Sequence, residues 1–271
     1  MYPTESRAEP VIQKKVVTTG RCGRGKGSAA RSTLGETEER MRINGTPPRF
    51  LLADDHTIFV ETLRIYLERY YPVVGIVADG WALVEETIKL KPDIIIADVS
   101  MPLLNGFDAA RKIRKQIPSV KFVFLTMLED PNMAAAAALE LGSIAFVLKH
   151  SCGKELLGAI DDVLHGRAYL SPKLRAEDWV ATKARARQFS QELTSRQREI
   201  VQLLAEGRAI KEISGVLDLS AKTVEFHKHH IMESFNIRSN ADLVLFALKR
   251  GLISIVPDPS TLQLKAAYDG G

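Results

Sequence analysis

Residues 93–106 of the chain read DIIIADVSMPLLNG. Three isoleucines and an alanine in succession, between Asp93 and the turn-forming residues that follow Asp98, are typical of a strand buried on both faces. Such strands belong to parallel sheets covered by helices, where ligands bind at the carboxyl ends of the strands. The pattern therefore predicts that the Asp98 carboxylate lies at this reactive edge, although an isolated strand-end Asp serves equally well as a turn cap.

Three other apolar strands also end in polar side chains. One ends in Asp54 and Asp55, another in Thr126, and a third in Lys149. Because parallel strands bring these ends together, the acid pair and Asp98 would repel one another and require a counter-cation. Carboxylate oxygens with room for water suit Mg²⁺. An acid pair, a single Asp, a Thr and a Lys in this order form a specific combination.

The region from about Arg49 to Leu170 resembles the receiver domain of two-component response regulators. The resemblance implies a receiver over residues 47–170, with a doubly wound α/β fold of the flavodoxin type and a five-stranded parallel sheet. It also implies that Asp98 accepts a phosphoryl group from a partner histidine kinase. Phosphoryl transfer needs an in-line nucleophile and neutralised phosphoryl oxygens more than it needs covalent machinery.

The remaining receiver roles follow from the motif positions that the resemblance matches. The implied Mg²⁺ ligands are Asp54, Asp55, Asp98 and the backbone carbonyl of Ser100. Thr126 and Lys149 match the groups that contact the phosphoryl oxygens, and Thr126 and Phe146 match the pair that moves on phosphorylation. A Thr126 hydrogen bond that exists only when the phosphoryl group is present would make the domain a switch.

A phosphohydrolase is the main enzymatic alternative, because such enzymes also use an Asp nucleophile and Mg²⁺. Enzymes that resemble the haloacid dehalogenases carry the nucleophile after their first strand, in an Asp-x-Asp pattern. Asp54 and Asp55 are adjacent and lack that spacing, and Asp98 follows a later strand. The chain is therefore expected to be a regulator and not an enzyme.

A small helical unit is predicted at residues 191–255. Thr194 and Gln197 have the spacing of a capping box, and the helix that they begin is expected to end at Gly207. A short helix, a brief turn and a second N-cap at Ser220 follow. Two helices joined by so short a turn are typical of a helix-turn-helix arrangement.

The helix after Ser220 has two different faces at 100° per residue. Ile231 and Phe235 lie within about 20° of Val224, and these three residues predict the buried face. The opposite face holds Lys222, Glu225, Phe226, His229, His230 and Glu233. An exposed Phe226 is a poor choice for a merely solvated face and suits a helix that reads a DNA groove.

Residues 193–248 resemble the LuxR-type helix-turn-helix domain, through motifs that include LTSRQRE at 193–199 and KTVEFH at 222–227. A receiver followed by this module is the architecture of the NarL/FixJ class of response regulators. The resemblance implies base contacts by Glu225, Phe226 and His229 and phosphate contacts by Lys222, Thr223 and Lys228. It further implies a phosphorylation-activated transcription regulator that pairs as a homodimer through residues 239–249 on two promoter half-sites.

A helical output domain that binds a protein instead of DNA is the second alternative. Its best support is Phe226, since base readers in this family are often basic. Residues 191–250 hold nine Lys and Arg against eight Asp and Glu, so DNA affinity would rest on a local basic face and on dimerisation. Nuclease protection of genomic fragments distinguishes the two alternatives.

The remaining segments lack an apolar period. We expect a disordered basic extension at 1–46, a linker at 171–190 and a flexible tail at 256–271. A basic extension could contact DNA phosphates, but a segment without a role is the simpler interpretation. Met41 is a candidate for the natural start of the protein.

Composition places the protein in a cellular compartment. Cys22 and Cys152 form neither a metal motif nor a disulfide framework, which favours a reducing cytoplasm. No apolar run approaches the length of a membrane span, so no membrane partner is expected.

Overall fold

The computed structural model describes residues 46–127, 129–142, 144–151, 153–175 and 193–253. The predicted tail, all but the last residue of the predicted extension and most of the predicted linker lie outside these residues. The described residues form a parallel sheet with flanking helices, followed by an all-helical unit. No helix within these ranges is long and apolar enough to cross a membrane.

The sheet has six parallel strands in the order β2-β1-β3-β4-β5-β6. They are β1 (Phe50–Ala53), β2 (Val73–Val77), β3 (Ile94–Asp98), β4 (Lys121–Thr126), β5 (Ile144–Leu148) and β6 (Tyr169–Leu170). The five predicted strands and the doubly wound class are confirmed. The additional strand β6 is a two-residue edge strand beside β5, too short to produce a periodic signal in the sequence.

Helices alternate with the first five strands and cover both faces of the sheet. They are α1 (Thr57–Leu67), α2 (Gly80–Leu90), α3 (Gly106–Gln116), α4 (Pro131–Leu141) and α5 (Gly153–Leu164). Asp79 begins α2 by accepting hydrogen bonds from two backbone N–H groups, and Asn105 begins α3 by accepting one from Asp108. These caps set where the loops beside the reactive edge end.

The isoleucine run is buried on both faces, as its composition predicts. Ile95 and Ala97 pack into the core that also contains residues of α2, α3 and α4, whereas Ile94 and Ile96 pack into the core beneath α1 and α5. Burying one such side chain contributes roughly 1.5–3 kcal/mol. The strand that carries Asp98 is thus held from both sides.

Four helices form the C-terminal unit around one apolar core. They are α6 (Ser195–Ala205), α7 (Ile210–Leu217), α8 (Ala221–Ser234) and α9 (Asn240–Lys249). The predicted capping box of Thr194 and Gln197 is present at α6, and the Ser220 hydroxyl caps α8. The turn between α7 and α8 passes through Asp218, whose φ of 51° lies in the left-handed region.

Candidate functional site

The first candidate site lies where the direction of strand order reverses. Strand β1 is flanked by β2 and β3, so its carboxyl end opens onto the crevice where doubly wound sheets bind ligands. Asp54 follows β1 directly, and Asp98 is the last residue of β3. Both side chains are buried at this edge.

The predicted acid pair and Asp98 come together, as strand order required. One ligand atom from each of Asp54, Asp55, His56 and Asp98 lies within 4.8 Å of the others. His56 Nδ1 is 3.1 Å from Asp54 Oδ1 and 3.0 Å from Asp55 Oδ1. No role for His56 is predicted from the sequence, although its position directly after the acid pair is a signal that could have indicated one.

Lys149 follows β5 and reaches across the edge to the carboxylates. Its Nζ lies 2.8 Å from Asp98 Oδ2 and 2.8 Å from Asp54 Oδ2. Burial alone would lower the pKa of Lys149, but Asp98 and Asp54 raise it, so the ammonium remains charged. One cation therefore bridges two of the three clustered carboxylates.

The carboxylates are not fully compensated by Lys149. Burial raises the pKa of Asp98 to about 6, with a further increase from Asp54, against the lowering effect of Lys149. The Asp54 Oδ2 atom is buried and makes no directed hydrogen bond with the described residues, although it lies within ion-pair distance of Lys149. Crowded oxygen ligands with residual negative charge fit a hard divalent cation such as Mg²⁺.

The other predicted receiver residues border this cluster. Thr126 ends β4, is buried, and accepts a backbone hydrogen bond from Lys149 at 2.9 Å through its carbonyl oxygen. The Ser100 N–H donates to Asp98 Oδ1 over 3.3 Å. Gly106 begins α3 beside the same strand end, where a Cβ atom would overlap the Asp98 carbonyl oxygen.

Phe146, the predicted switch aromatic, lies inside the core. Its ring stacks on Phe124 at a centroid distance of 5.3 Å and contacts Phe107 at 5.6 Å. The side chain is fully buried. Any outward movement of Phe146 would therefore break an aromatic cluster directly beneath the acidic edge.

The second candidate site is the outer face of α8. Val224 and Ile231 are fully buried, which confirms the predicted orientation of the helix. The side chains on the opposite face are exposed: Lys222, Glu225, Phe226, His229, His230 and Glu233. Thr223 and Lys228 are half-buried at the margins, and the Thr223 hydroxyl lies 2.8 Å from that of Ser220 at the helix N-terminus.

The receiver and the helical unit meet at a third polar site, which no pattern in the sequence predicts. Gln202 of α6 is fully buried against the loop between β3 and α3. Its amide nitrogen donates to the Met101 carbonyl at 2.9 Å, and its amide oxygen accepts from the Asn105 N–H at 2.9 Å. Gln202 thus holds the loop that follows Ser100 at two of its peptide groups.

Charged pairs flank Gln202 on the same junction. Arg198 Nε donates to Asp108 Oδ1 at 2.9 Å, and Lys112 Nζ lies 2.8 Å from Glu199 Oε1. Burial opposes ionisation of Asp108, but Arg111 and Arg198 lower its pKa, so it stays charged. Two ion pairs with buried carboxylates thus join α3 to α6.

Leu103 completes the junction in an unusual backbone conformation. Its φ is 66°, a left-handed value that is uncommon for a leucine, and its N–H donates to Glu206 Oε1 at 3.1 Å. Its side chain packs against the apolar core of the helical unit. The loop that begins at Asp98 is therefore shaped in part by contacts with the C-terminal unit.

Comparison with known proteins matches both units. The family model for the response regulator receiver domain matches residues 50–161, and that for bacterial regulatory proteins of the luxR family matches residues 191–247. The chain is 32% identical over 215 residues to the oxygen regulatory protein NreC of Staphylococcus carnosus, covering 76% of this chain and 99% of NreC. It is 33% identical to NreC of Staphylococcus aureus strain JH9 over the same shares.

A solved structure also resembles the chain over both units. It is a structure of the Salmonella typhimurium response regulator RcsB, which is described in terms of its conformational dynamism for DNA interaction. The TM-score is 0.52 at 26% identity, over 73% of this chain and 96% of the RcsB chain.

Proposed function

We propose that phosphorylation of Asp98 controls the binding of this chain to promoter DNA. The chain belongs to the response regulators of the NarL/FixJ type, which join a receiver to a LuxR-type DNA-binding domain. Members of this family are transcription regulators and not enzymes. The observation that carries this proposal is the position of the Asp98 carboxylate. It sits beside a second buried carboxylate and a lysine ammonium at the carboxyl edge of the sheet.

The two oxygens of Asp98 have different surroundings, which supports a nucleophilic role for one of them. Oδ2 is 2.8 Å from the Lys149 ammonium, whereas Oδ1 accepts only a long 3.3 Å bond from Ser100 among the described residues. In the proposed step, Oδ1 forms a bond to phosphorus while the bond from phosphorus to a kinase histidine nitrogen breaks. The departing imidazole then takes up a proton, and Lys149 neutralises a phosphoryl oxygen.

The residues that would hold Mg²⁺ in this step are Asp54, Asp55, Asp98 and the carbonyl of Ser100. When bound, the ion would supply the positive charge that the transferring phosphoryl oxygens need. His56 would orient the acid pair, because its backbone N–H donates to Asp54 Oδ1 at 3.0 Å. Its ring nitrogen lies about as close to Asp55 as to Asp54.

Thr126 and Phe146 would transmit the phosphorylation to the rest of the receiver. A phosphoryl group on Asp98 would attract the Thr126 hydroxyl. The movement of the Thr126 side chain would leave space at the end of β4, into which the Phe146 ring could shift. Since Phe146 stacks on Phe124 and contacts Phe107, its movement would alter the packing of α3 and α4.

The C-terminal unit would read promoter DNA in the cytoplasm as a homodimer. The base-reading residues Glu225, Phe226 and His229 stay exposed while the receiver contacts α6. Phosphorylation would therefore control DNA binding less by uncovering α8 than by changing how the helical units of two chains pair. The apolar side chain of Leu245, 55% exposed on α9, is suited to that pairing on two half-sites.

The test compares wild type with Asp98→Asn in gel-mobility assays on DNA selected from a random-sequence pool. Each protein is measured with Mg²⁺ alone and with Mg²⁺ plus a small-molecule phosphodonor such as acetyl phosphate. We expect a phosphodonor-dependent gain in affinity in wild type alone. Equal gains in both proteins would refute Asp98 as the acceptor, and binding to DNA in neither protein would refute the DNA-binding role.

A further inference from the structure

We propose that Glu225 and Phe226 select two base pairs in each operator half-site, a cytosine through its N4 amino group and a thymine through its methyl group. The inference rests on the proposed function, because it takes α8 to be the helix that enters the major groove. It goes beyond that function by stating which bases these two side chains recognise.

Glu225 and Phe226 are placed to read different base pairs. Both lie in the first two turns of α8, the part of a recognition helix that reaches the base edges. At 100° per residue, Lys222 and His229 lie within about 20° of each other, and Glu225 and Phe226 fall on opposite sides of that line. The two side chains are therefore about 100° apart and diverge toward different positions in the groove.

A carboxylate on this face needs a hydrogen-bond donor from the DNA. Glu225 is exposed and forms no ion pair with any described residue. Phosphate groups would repel it, so it lowers affinity unless it accepts a hydrogen bond in the groove. In the major groove, the N4 amino group of cytosine is the donor that Glu characteristically contacts.

Phe226 provides an apolar surface on the same exposed face of α8. Its side chain is 65% exposed, and no described helix covers it. The C5 methyl group of thymine is the apolar group in the major groove of B-DNA that Phe side chains contact. Burying this methyl against the ring removes apolar surface of both partners from water.

Two imidazole rings lie beside the Phe226 ring. The His227 ring lies edge-on at a centroid distance of 5.7 Å, and the His230 ring lies at 6.3 Å with an interplanar angle of 34°. A side chain that is already confined loses less rotamer entropy on binding. The ring is thus presented to the groove in a defined position.

The first experiment tests the thymine methyl. Full-length wild type, treated with acetyl phosphate and Mg²⁺, selects an operator from random DNA, and each thymine of the half-site is then replaced singly by uracil. We expect one replacement to weaken wild-type binding roughly fourfold, the effect of one buried methyl group. The same replacement should leave Phe226→Ala binding unchanged. Equal affinity of wild type for thymine and uracil at every position would overturn the assignment of Phe226.

The second experiment repeats the selection with Glu225→Gln. Because Gln pairs with adenine in a bidentate manner, we expect one half-site position to change from C·G to A·T, with a preference of at least about fivefold. Glu233→Gln is the matched control, since Glu233 is exposed on the same helix but lies near its C-terminal end. Selection of an unchanged sequence by Glu225→Gln would overturn the assignment of Glu225.

Failure of the proposed function gives a different result from failure of this inference. If phosphodonor-treated wild type enriches no sequence at all, DNA binding itself is wrong and the inference falls with it. If wild type enriches an operator but shows neither the uracil effect nor the C·G to A·T change, only the inference is wrong. Circular dichroism of the variants checks folding, which these exposed substitutions should leave intact.

Discussion

The acidic edge of the receiver and the outer face of α8 are both polar, but they differ in where their polar side chains find partners. Asp54 and Asp98 are buried, and each lies 2.8 Å from the ammonium of Lys149. Glu225 and Phe226 are exposed, and Glu225 has no ion-pair partner among the described residues. A buried charge must find its partner within the fold, because water cannot compensate it. The exposed face of α8 would take its partners from DNA under the proposed function, so its side chains can be changed without loss of the fold.

The largest expected contrast comes from truncating one phenylalanine in each region. Phe146→Ala removes a fully buried ring from the cluster with Phe124 and Phe107 and should lower the free energy of unfolding of the receiver by about 3–5 kcal/mol. Phe226→Ala removes a ring that is 65% exposed and should change the stability of the helical unit by no more than about 0.5 kcal/mol. Urea unfolding followed by circular dichroism measures both. Similar losses in the two variants would contradict the contrast.

A somewhat smaller effect is expected from Lys149→Met. The substitution leaves the buried carboxylates Asp54 and Asp98 without their shared cation and should destabilise the receiver by roughly 3 kcal/mol at pH 7.5. Since burial already raises the pKa of Asp98 to about 6 and loss of the ammonium raises it further, the folded variant takes up a proton as the pH falls. The destabilisation should therefore shrink between pH 7.5 and pH 5.

The control for Lys149→Met is Lys89→Met, which removes an exposed lysine paired with Glu86 at 2.8 Å. Exposed pairs contribute about 0–1 kcal/mol, so this variant should stay close to wild type at both pH values. Denaturant titrations at pH 7.5 and pH 5 measure the difference. A Lys149→Met penalty that is the same at the two pH values would contradict the role of Asp98 protonation.

The smallest effect on the unfolding of either unit is expected at the junction between the receiver and the helical unit. Gln202→Ala leaves the Met101 carbonyl and the Asn105 N–H buried without their partner, at a cost of about 1–3 kcal/mol for each group that stays unsatisfied. The loop can escape this cost only if the two units separate and water reaches it. We therefore expect a larger radius of gyration by small-angle X-ray scattering for Gln202→Ala, without unfolding of either unit.

Gln116→Ala is the matched control for the junction, because Gln116 is exposed at the end of α3. It should leave the radius of gyration unchanged. A Gln202→Ala protein as compact as wild type would show that the ion pairs of Arg198 with Asp108 and of Lys112 with Glu199 are sufficient to hold the units together.

Sequence patterns were sufficient for the elements and for much of the acidic edge. The IIIA run predicted a strand buried on two sides, and strand-end positions predicted the meeting of Asp54, Asp55 and Asp98, which the structure confirms. Apolar period likewise predicted which side of α8 is buried. These features depend on local periodicity and on the parallel order of strands, both of which can be recognised in the amino-acid sequence. The catalytic, switch and base-reading roles of individual residues remain predictions.

The tertiary structure alone decided how the two units meet. Gln202 and Asn105 are 97 residues apart, and nothing in the local pattern of either indicates the other. The pairing of Leu103 with Glu206 and the ion pair of Asp108 with Arg198 also join distant segments. The sequence by itself determined the strands, the helices and the reactive edge, because period and strand order are properties of neighbouring residues. Only the folded chain selected the polar partners across the junction, because a buried donor or acceptor is satisfied by whatever group the packing of whole units brings within hydrogen-bond distance.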